Sequence, residues 1–274
     1  MDEPIVDPEI DTYYSGDWDE DARLRTGLGE LELIRTRDIV TRFMPDSPVD
    51  VLDVGGGSGV HAEWLLDLGH RVELVDPVQH LVNQAAGRLG DMTGFNATRA
   101  DARALPFGNG RFDAVLLFGP LYHLTDRSDR MTVWEEASRV CKPGGVIFAA
   151  VISRFASLFS GLSGGVIFDE TFRGVVERDL IDGQHRNPEG RDYFTTAYFH
   201  HPDEVVAEAV EGRLQVEAVL GVEGIGAWIP RLERSWEDPE RRAIIVEAAR
   251  AIESEPTLLG LGPHLIVVAR KPGE

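Results

Sequence analysis

The chain has 274 residues, 43% of them hydrophobic, and its 47 acidic against 27 basic residues give a formal net charge of −20. That length suits one large α/β domain with insertions, and the acidity makes a nucleic-acid substrate unlikely, since phosphate binding needs clustered lysines and arginines. No apolar run approaches the length of a membrane span, so neither a transmembrane helix nor a membrane partner is expected.

The N-terminus carries acids where a signal peptide needs basic residues, so we expect a cytoplasmic protein. The single cysteine, Cys141, excludes an internal disulfide and a cysteine-based zinc cluster, and we interpret it as a small core residue. Histidines and acids do not recur at the spacing of metal ligands, so no metal is expected. The oligomeric state stays open between monomer and homodimer.

The first 45 residues are predicted to form an N-terminal helical segment ahead of a main domain at residues 46–274. Residues 1–18 are polar with scattered aromatic side chains and are expected to be irregular. Apolar residues between positions 19 and 44 recur with helical period, which predicts one or two helices with a break near Gly27 and Gly29.

A glycine-rich turn follows the first predicted strand, residues 51–54, and an apolar-periodic helix comes after it. Glycines permit a sharp turn and close approach of a ligand, and the start of the next helix offers free N–H groups. The dinucleotide fingerprint Gly-x-Gly-x-x-Gly would place its third glycine at position 60, which is Val60, so an NAD oxidoreductase is disfavoured. The pattern Asp53-x-Gly55-x-Gly57-x-Gly59 resembles motif I of the class I S-adenosylmethionine-dependent methyltransferases, although a purely structural turn is the alternative.

Two more predicted strands end in acids. Asp76 closes the strand at residues 71–76, where a carboxylate can accept hydrogen bonds from both hydroxyls of a ribose. Asp101 closes the strand at residues 95–101, and a fourth strand at 111–118 follows. Each feature is weak alone, but their regular spacing strengthens the resemblance to the methyltransferases.

The resemblance is to the ubiquinone-biosynthesis-like, type 11 branch of that class, and it covers residues 50–152 well and 202–270 loosely. It implies a Rossmann-like, seven-stranded, mostly parallel sheet with helices on both faces. It also implies S-adenosylmethionine as the cofactor, with an acid and the next backbone N–H reading the adenine ring. The residues implied to bind the cofactor are Asp53, Gly55, Gly56, Gly57, Gly59, Asp76, Pro77, Asp101, Ala102, Phe118 and Gly119.

The rest of the main domain follows the same alternation of elements. Helices are predicted at 78–89, 169–180 and 203–211, after Asp238, and from Thr125 or Ser128 onwards. Lys142 to Gly145 is predicted to be a turn before a fifth strand at 146–152. The last two strands, at 214–220 and 264–270, would form the hairpin-like pair of the family.

The loop after the fourth strand holds the candidate catalytic residue. Methyltransferases that act on adenine or glutamine nitrogen carry Asn or Asp, two prolines and an aromatic residue here, whereas this chain has Gly119-Pro-Leu-Tyr122-His123. That departure argues against those substrates. We interpret His123 as a candidate general base, with a substrate contact or a structural hydrogen bond as alternatives. The side chains expected to line the substrate pocket are Tyr14, Tyr122, Tyr198 and His200.

Residues 153–200 are too long for an ordinary connection, and positions 193–201 are rich in aromatic and hydroxyl side chains. We interpret them as an insertion that caps the active site, with a surface hairpin as the alternative. Tyr13, Tyr14 and Trp18 either fold over the site or pack the edge of the sheet.

The leading hypothesis is methyl transfer to a hydroxyl or amine of a small molecule. The alternatives are an RNA or protein methyltransferase and a non-catalytic regulator that binds S-adenosylmethionine.

Overall fold

The structure is a computed structural model that describes residues 6–16, 20–46, 48–187, 193–230 and 232–273. Trp18 and residues 188–192 of the predicted insertion lie outside the described residues. None of the described helices is long and apolar enough to cross a membrane.

The described residues form one mixed β-sheet. Its strands are β1 Asp50–Val54, β2 Arg71–Asp76, β3 Phe95–Arg99, β4 Phe112–Phe118, β5 Cys141–Ser153, β6 Gln184–His185, β7 Ala197–His200, β8 Gln215–Gly221 and β9 His264–Arg270. The long strands lie in the order β3-β2-β1-β4-β5-β9-β8. The first five are parallel, and β9 runs antiparallel to both of its neighbours. The predicted mostly parallel sheet is confirmed, and two short strands add to the seven long ones that were predicted.

The short strands β6 and β7 come from residues 153–200 and extend this sheet. β7 pairs in parallel with the last two residues of β5, and β6 pairs antiparallel with β7. The stretch at residues 193–201, rich in aromatic and hydroxyl side chains, therefore contains a strand that pairs with the carboxyl end of β5.

Helices cover both faces of the sheet. They are α1 Pro8–Ser15, α2 Glu20–Leu24, α3 Gly27–Phe43, α4 Val60–Asp67, α5 Gln79–Leu89, α6 Pro120–His123, α7 Arg127–Val140, α8 Ala156–Gly164, α9 Glu170–Asp182, α10 Pro202–Glu211, α11 Leu232–Trp236 and α12 Pro239–Ile252. Side chains alternate across a strand, so Leu52 and Val54 pack with α7 and α10, while Val51 packs with α3, α4 and α5. The result is a three-layer α/β domain.

Three details of the predicted elements were wrong. Residues 8–15 are a helix rather than irregular, and the Asp7 carboxylate caps this helix by accepting from the Glu9 N–H at 2.8 Å. Helix α7 begins at Arg127 after Asp126, not at Thr125 or Ser128. The glycines after Lys142 lie inside β5, where pairing with β4 is irregular, and not in a turn ahead of it.

Candidate active site

A cavity of about 950 Å³ lies at the carboxyl edge of the parallel strands, a volume suited to a small-molecule ligand. Its walls come from the loops after β1, β2, β3 and β4, from α1 and α8, and from the segment around β6 and β7. Parallel strands bring residues distant in sequence to this edge, which is where such folds bind their ligands.

The glycine turn forms one wall of the cavity. A Cβ at Gly55 would lie 2.9 Å from Pro120 Cδ, so only glycine fits against the loop after β4. At Gly57, with φ of +55°, a Cβ would meet no described atom within 4 Å, because this residue opens onto the cavity. Gly59 faces the other way, towards Leu89 of α5, and supports the turn instead of lining the cavity. The turn thus leaves room for a ligand to approach the backbone at Gly57.

Asp76 lies at the tip of β2, next to Pro77 in the cavity wall. Its Oδ2 accepts from the Gly57 N–H at 3.0 Å and its Oδ1 accepts from the Val78 N–H at 2.8 Å. Burial raises the pKa of Asp76 to about 6, against the lowering effect of these two hydrogen bonds. The carboxylate is therefore held in place with lone pairs left for ligand hydroxyls.

Asp53 lies beneath the same turn. A Cβ at Gly56 would be 2.7 Å from its Oδ2, and within the described part of the chain both carboxylate oxygens are buried without a hydrogen-bond partner. Burial, and next the charge of Asp76, raise the pKa of Asp53 to about 7. An unpaired buried carboxyl group under a glycine turn is costly for folding, which points to a ligand role at this position.

The other residues implied to bind the cofactor also line the cavity: Asp101, Ala102, Phe118 and Gly119. Asp101 pairs with Arg103 at 2.7 Å, and Arg103 in turn pairs with Asp129 at 2.8 Å. Gly119 has a φ of +146°, a conformation that favours glycine at the start of α6.

On the far side of the cavity, α1 meets the loop after β4. The Tyr14 hydroxyl and His123 Nε2 are hydrogen-bonded at 2.9 Å, and Tyr122 and Phe194 pack against the His123 ring at 4.7 and 5.9 Å between centroids. Burial lowers the pKa of His123 to about 4, although the nearby Thr196 backbone opposes this. His123 is thus a neutral imidazole at pH 7 with its Nε2 already engaged.

The structure places Tyr198 and His200 away from the cavity, unlike Tyr14 and Tyr122. The Tyr198 ring lies 3.7 Å from the Arg130 guanidinium carbon, and His200 Nε2 is 3.5 Å from a carboxylate oxygen of Glu208 on α10. Successive side chains of β7 point to opposite sides, so Phe199 reaches the cavity while its two neighbours pack behind it.

Sequence reasoning missed a charged cluster in the cavity wall. Burial would raise the pKa of Glu32, but the charges of His264 and Arg23 outweigh it and hold this pKa at about 2. Burial would likewise lower the pKa of His264, but Glu32 and Glu223 raise it to about 9. The side-chain atoms of Glu32, Glu223 and His264 that could bind a metal ion lie within 4.8 Å of one another. They already have protein partners, however, because Arg23 pairs with Glu32, and His264 with Glu223. No sequence pattern links residues so far apart.

A second missed group lies on the insertion. Asp179 Oδ2 accepts from the Ser157 hydroxyl at 2.5 Å and lies 2.9 Å from His185 Nδ1, and all three side chains are buried. Ser157 and His185 line the cavity. These residues come from α8, α9 and β6, which the sequence did not show to meet.

The order of the strands and the cavity at their carboxyl edge resemble those of class I methyltransferases. Residues 51–145 match the family model described as "Methyltransferase domain". The ubiquinone/menaquinone biosynthesis C-methyltransferase UbiE of Acidiphilium cryptum is 34% identical over 43% of this chain and 48% of its own length. A ubiquinone biosynthesis O-methyltransferase of Thiobacillus denitrificans is 28% identical, covering 75% of this chain and 80% of its own. A solved S-adenosylmethionine-dependent methyltransferase of Methanosarcina mazei shares the fold, with a TM-score of 0.59 and 16% identity over 86% of this chain and 98% of its own.

Residues 51–145 are thus similar to a methyltransferase domain, and the described chain shares the fold of S-adenosylmethionine-dependent methyltransferases. The chain spans about half the length of the first curated relatives that it matches, 48% and 43%. The activity, acceptor and partners of this chain are therefore proposed from its own structure.

Proposed function

We propose that this protein transfers a methyl group from S-adenosylmethionine to a hydroxyl or amine of a small molecule bound in the 950 Å³ cavity. The observation that carries this proposal is the continuity of the cavity, which joins the glycine turn and Asp76 to the aromatic pocket around His123. The relatives' names, which refer to ubiquinone and menaquinone biosynthesis, also support a small acceptor.

The residues around the turn fit the cofactor. Gly57 leaves an open cradle, Asp76 has free lone pairs for ribose hydroxyls, and Asp101 with the Ala102 N–H is suited to the adenine ring. The bound cofactor supplies a methyl group on a positively charged sulfur, which is an excellent leaving group. What the chain must add is orientation, exclusion of water and, for a protonated nucleophile, a base.

The covering segments favour a small molecule over RNA or a protein. Glu9 of α1 accepts from the Thr196 N–H at 3.1 Å and from its hydroxyl at 2.6 Å, which joins the N-terminal segment to the insertion across the cavity. The arginines in the wall, Arg23 and Arg103, are paired with carboxylates and offer little positive charge to a phosphate backbone. We propose that residues 1–45 and 153–200 cap the site and select the acceptor.

His123 suits orientation of the acceptor better than proton removal. Its Nε2 is hydrogen-bonded to Tyr14, and burial keeps its pKa, at about 4, well below the value that suits a base at neutral pH. We propose that Tyr14, Tyr122 and His123 together form one wall of the acceptor pocket.

The test is calorimetric titration with S-adenosylmethionine, S-adenosylhomocysteine and NADH in parallel. The intact protein is expected to bind both sulfur nucleotides and not NADH. Asp76→Ala should weaken that binding by about tenfold or more, because hydrogen bonds to a charged group are lost. The matched control is Asp67→Ala, an exposed acid at the end of α4, which should bind as the intact protein does.

Asp76→Asn retains the size of the side chain but has one acceptor oxygen instead of two, so it also loses the hydrogen bond from Gly57 or from Val78. Urea unfolding measured beside binding separates a loss of ligand recognition from a loss of that support. Binding of NADH alone would contradict the proposed cofactor and therefore the proposed function. Binding of the sulfur nucleotides without turnover on any acceptor would favour the non-catalytic regulator.

A further inference from the structure

The hydrogen bonds around Asp179 indicate which ring nitrogen of His185 donates. An ionised carboxylate only accepts, so Asp179 Oδ2 receives the Ser157 O–H and the His185 Nδ1–H. In the neutral imidazole, a proton on Nδ1 leaves Nε2 as the nitrogen with the lone pair. The serine bonds to the aspartate and not to Nε2, so this group is not arranged like a serine nucleophile with its histidine base.

Nε2 of His185 is buried and, among the described residues, has no hydrogen-bond partner. Such an atom is costly unless a partner arrives with a ligand. Its ring stacks on Phe199 with centroids 4.7 Å apart and an angle of 11° between the planes, which fixes the direction of the ring.

The ring also lies beside the acceptor pocket. Phe194 packs against His185 at 6.2 Å and against His123 at 5.9 Å, so the two imidazoles flank the same aromatic side chain. His185, Phe194 and Phe199 all line the cavity. An aromatic wall with one accepting nitrogen suits an apolar molecule that carries a hydroxyl group.

We propose that His185 is the proton acceptor for a hydroxyl-bearing methyl acceptor, and that Asp179 is its positioning residue. This inference rests on the proposed function. The acceptor's hydroxyl gives its proton to Nε2 while an oxygen lone pair forms the bond to the methyl carbon. The carbon–sulfur bond breaks, and its electron pair stays on the sulfur, which becomes a neutral thioether. The charge gained by the imidazole is balanced by the Asp179 carboxylate, and the proton leaves to water after product release.

The first measurement is ¹⁵N NMR of the histidine side chains in the full chain. The intact protein should show His185 protonated on Nδ1 and bare on Nε2. Asp179→Asn should change that pattern, because an amide can donate to Nδ1, while Asp179→Glu should restore it in part. A purely structural role for Asp179 would leave the tautomer unchanged.

The second measurement is methyl transfer to phenol, catechol and benzyl alcohol, with cofactor binding measured in the same samples. His185→Gln should lower kcat by about 10²- to 10⁴-fold, the usual contribution of a general base, and leave S-adenosylhomocysteine binding unchanged. His80→Gln, an exposed histidine on α5, is the matched control and should turn over normally.

The outcomes separate the two proposals. Absence of S-adenosylmethionine binding by the intact protein would refute the proposed function itself. With binding intact, any one of three results overturns the role of His185: a proton on Nε2, refusal of every hydroxyl probe, or turnover by His185→Gln within threefold of the intact protein.

Discussion

Asp53 is a carboxyl group whose burial sets a measurable dependence of stability on pH. Its pKa is raised to about 7 in the folded chain, above the ordinary 3.8, so the folded state keeps the proton to higher pH than the unfolded state. The free energy of unfolding should therefore fall as pH rises from about 4 to about 7, by on the order of 1 kcal/mol per pH unit.

Asp53→Asn removes this titration and keeps Asp76. The intact protein and the variant should therefore differ most in how steeply the free energy of unfolding changes with pH. The variant is expected to gain stability relative to the intact protein as pH rises, by a few kcal/mol (~4 at most) between pH 4 and pH 8. Urea unfolding at pH 4.5, 6 and 8 measures the difference. Parallel curves for the two proteins would contradict this prediction.

Gly57 and Gly144 offer a matched pair of substitutions. Both have positive φ, +55° and +77°, and at neither would a Cβ meet a described atom within 4 Å. Each change to alanine should cost about 1 kcal/mol of stability through backbone strain. Only Gly57 lines the cavity, so Gly57→Ala should also weaken S-adenosylhomocysteine binding about tenfold or more.

Calorimetry on the two alanine variants checks this, with Gly144→Ala expected to bind normally. Equal affinity in both would mean that the space above Gly57 is not used by the cofactor.

Helix α1 is joined to the insertion through Glu9, a charged side chain near its start, in addition to the hydrogen bond between Tyr14 and His123. Glu9→Ala removes the acceptor for the Thr196 N–H and hydroxyl, and hydrogen bonds to a charged group contribute about 1.5–3 kcal/mol. Amide hydrogen exchange at Thr196 and along α1 should therefore accelerate by about tenfold or more.

The control for this helix is Thr12→Ala, because the Thr12 hydroxyl donates to the Pro8 carbonyl of the same helix at 2.7 Å and, among the described residues, to no other group. Exchange at Thr196 should not change in that variant. If Glu9→Ala and Thr12→Ala behave alike, α1 is not fastened through Glu9.

The side chains of strand β7 face two different environments. Ala197–His200 pairs with the end of β5 and sends alternate residues to opposite sides. Phe199 lines the cavity, whereas Tyr198 meets Arg130 and Arg154 behind it. The aromatic composition of this stretch was visible in the sequence, but the side of the strand to which each side chain points depends on the register of pairing.

The N-terminal and C-terminal parts of the chain are joined by a buried ion cluster. Arg35 of α3 is fully buried and donates to Glu253, to Asp38 and to the Val222 carbonyl. Arg35→Met leaves the Val222 carbonyl without this donor, while Arg42 still pairs with Glu253, so the expected loss of stability is about 1–3 kcal/mol.

Urea unfolding measures the loss, with Arg71→Met as the control. Arg71 forms an exposed pair with Asp50, so its removal should change stability little. A loss for Arg35→Met no larger than that of the control would show that the cluster does not hold the two parts of the chain together.

The sequence by itself determined the long strands, the order of elements and the glycine turn, because these depend on local hydrophobic periodicity and backbone conformation. It also located Asp53, Asp76 and Asp101 at the ends of strands, and parallel strands bring such ends to one edge of the sheet. Helix α1 had a local signal in Asp7-Pro8-Glu9, an N-cap with proline and an acid in the first turn, which the scattered aromatics obscured.

Only the tertiary structure decided which side chains outside the cofactor motifs meet. Arg23, Glu32 and His264 come together from helices and a strand far apart in the chain, and their pKa values follow from mutual charge and burial. Asp179 and His185 belong to a helix and a two-residue strand whose partnership rests on long-range packing. Hydrophobic pattern fixes where a strand or helix lies, but the identity of a side chain's neighbours depends on register and packing between distant segments, which no local pattern specifies.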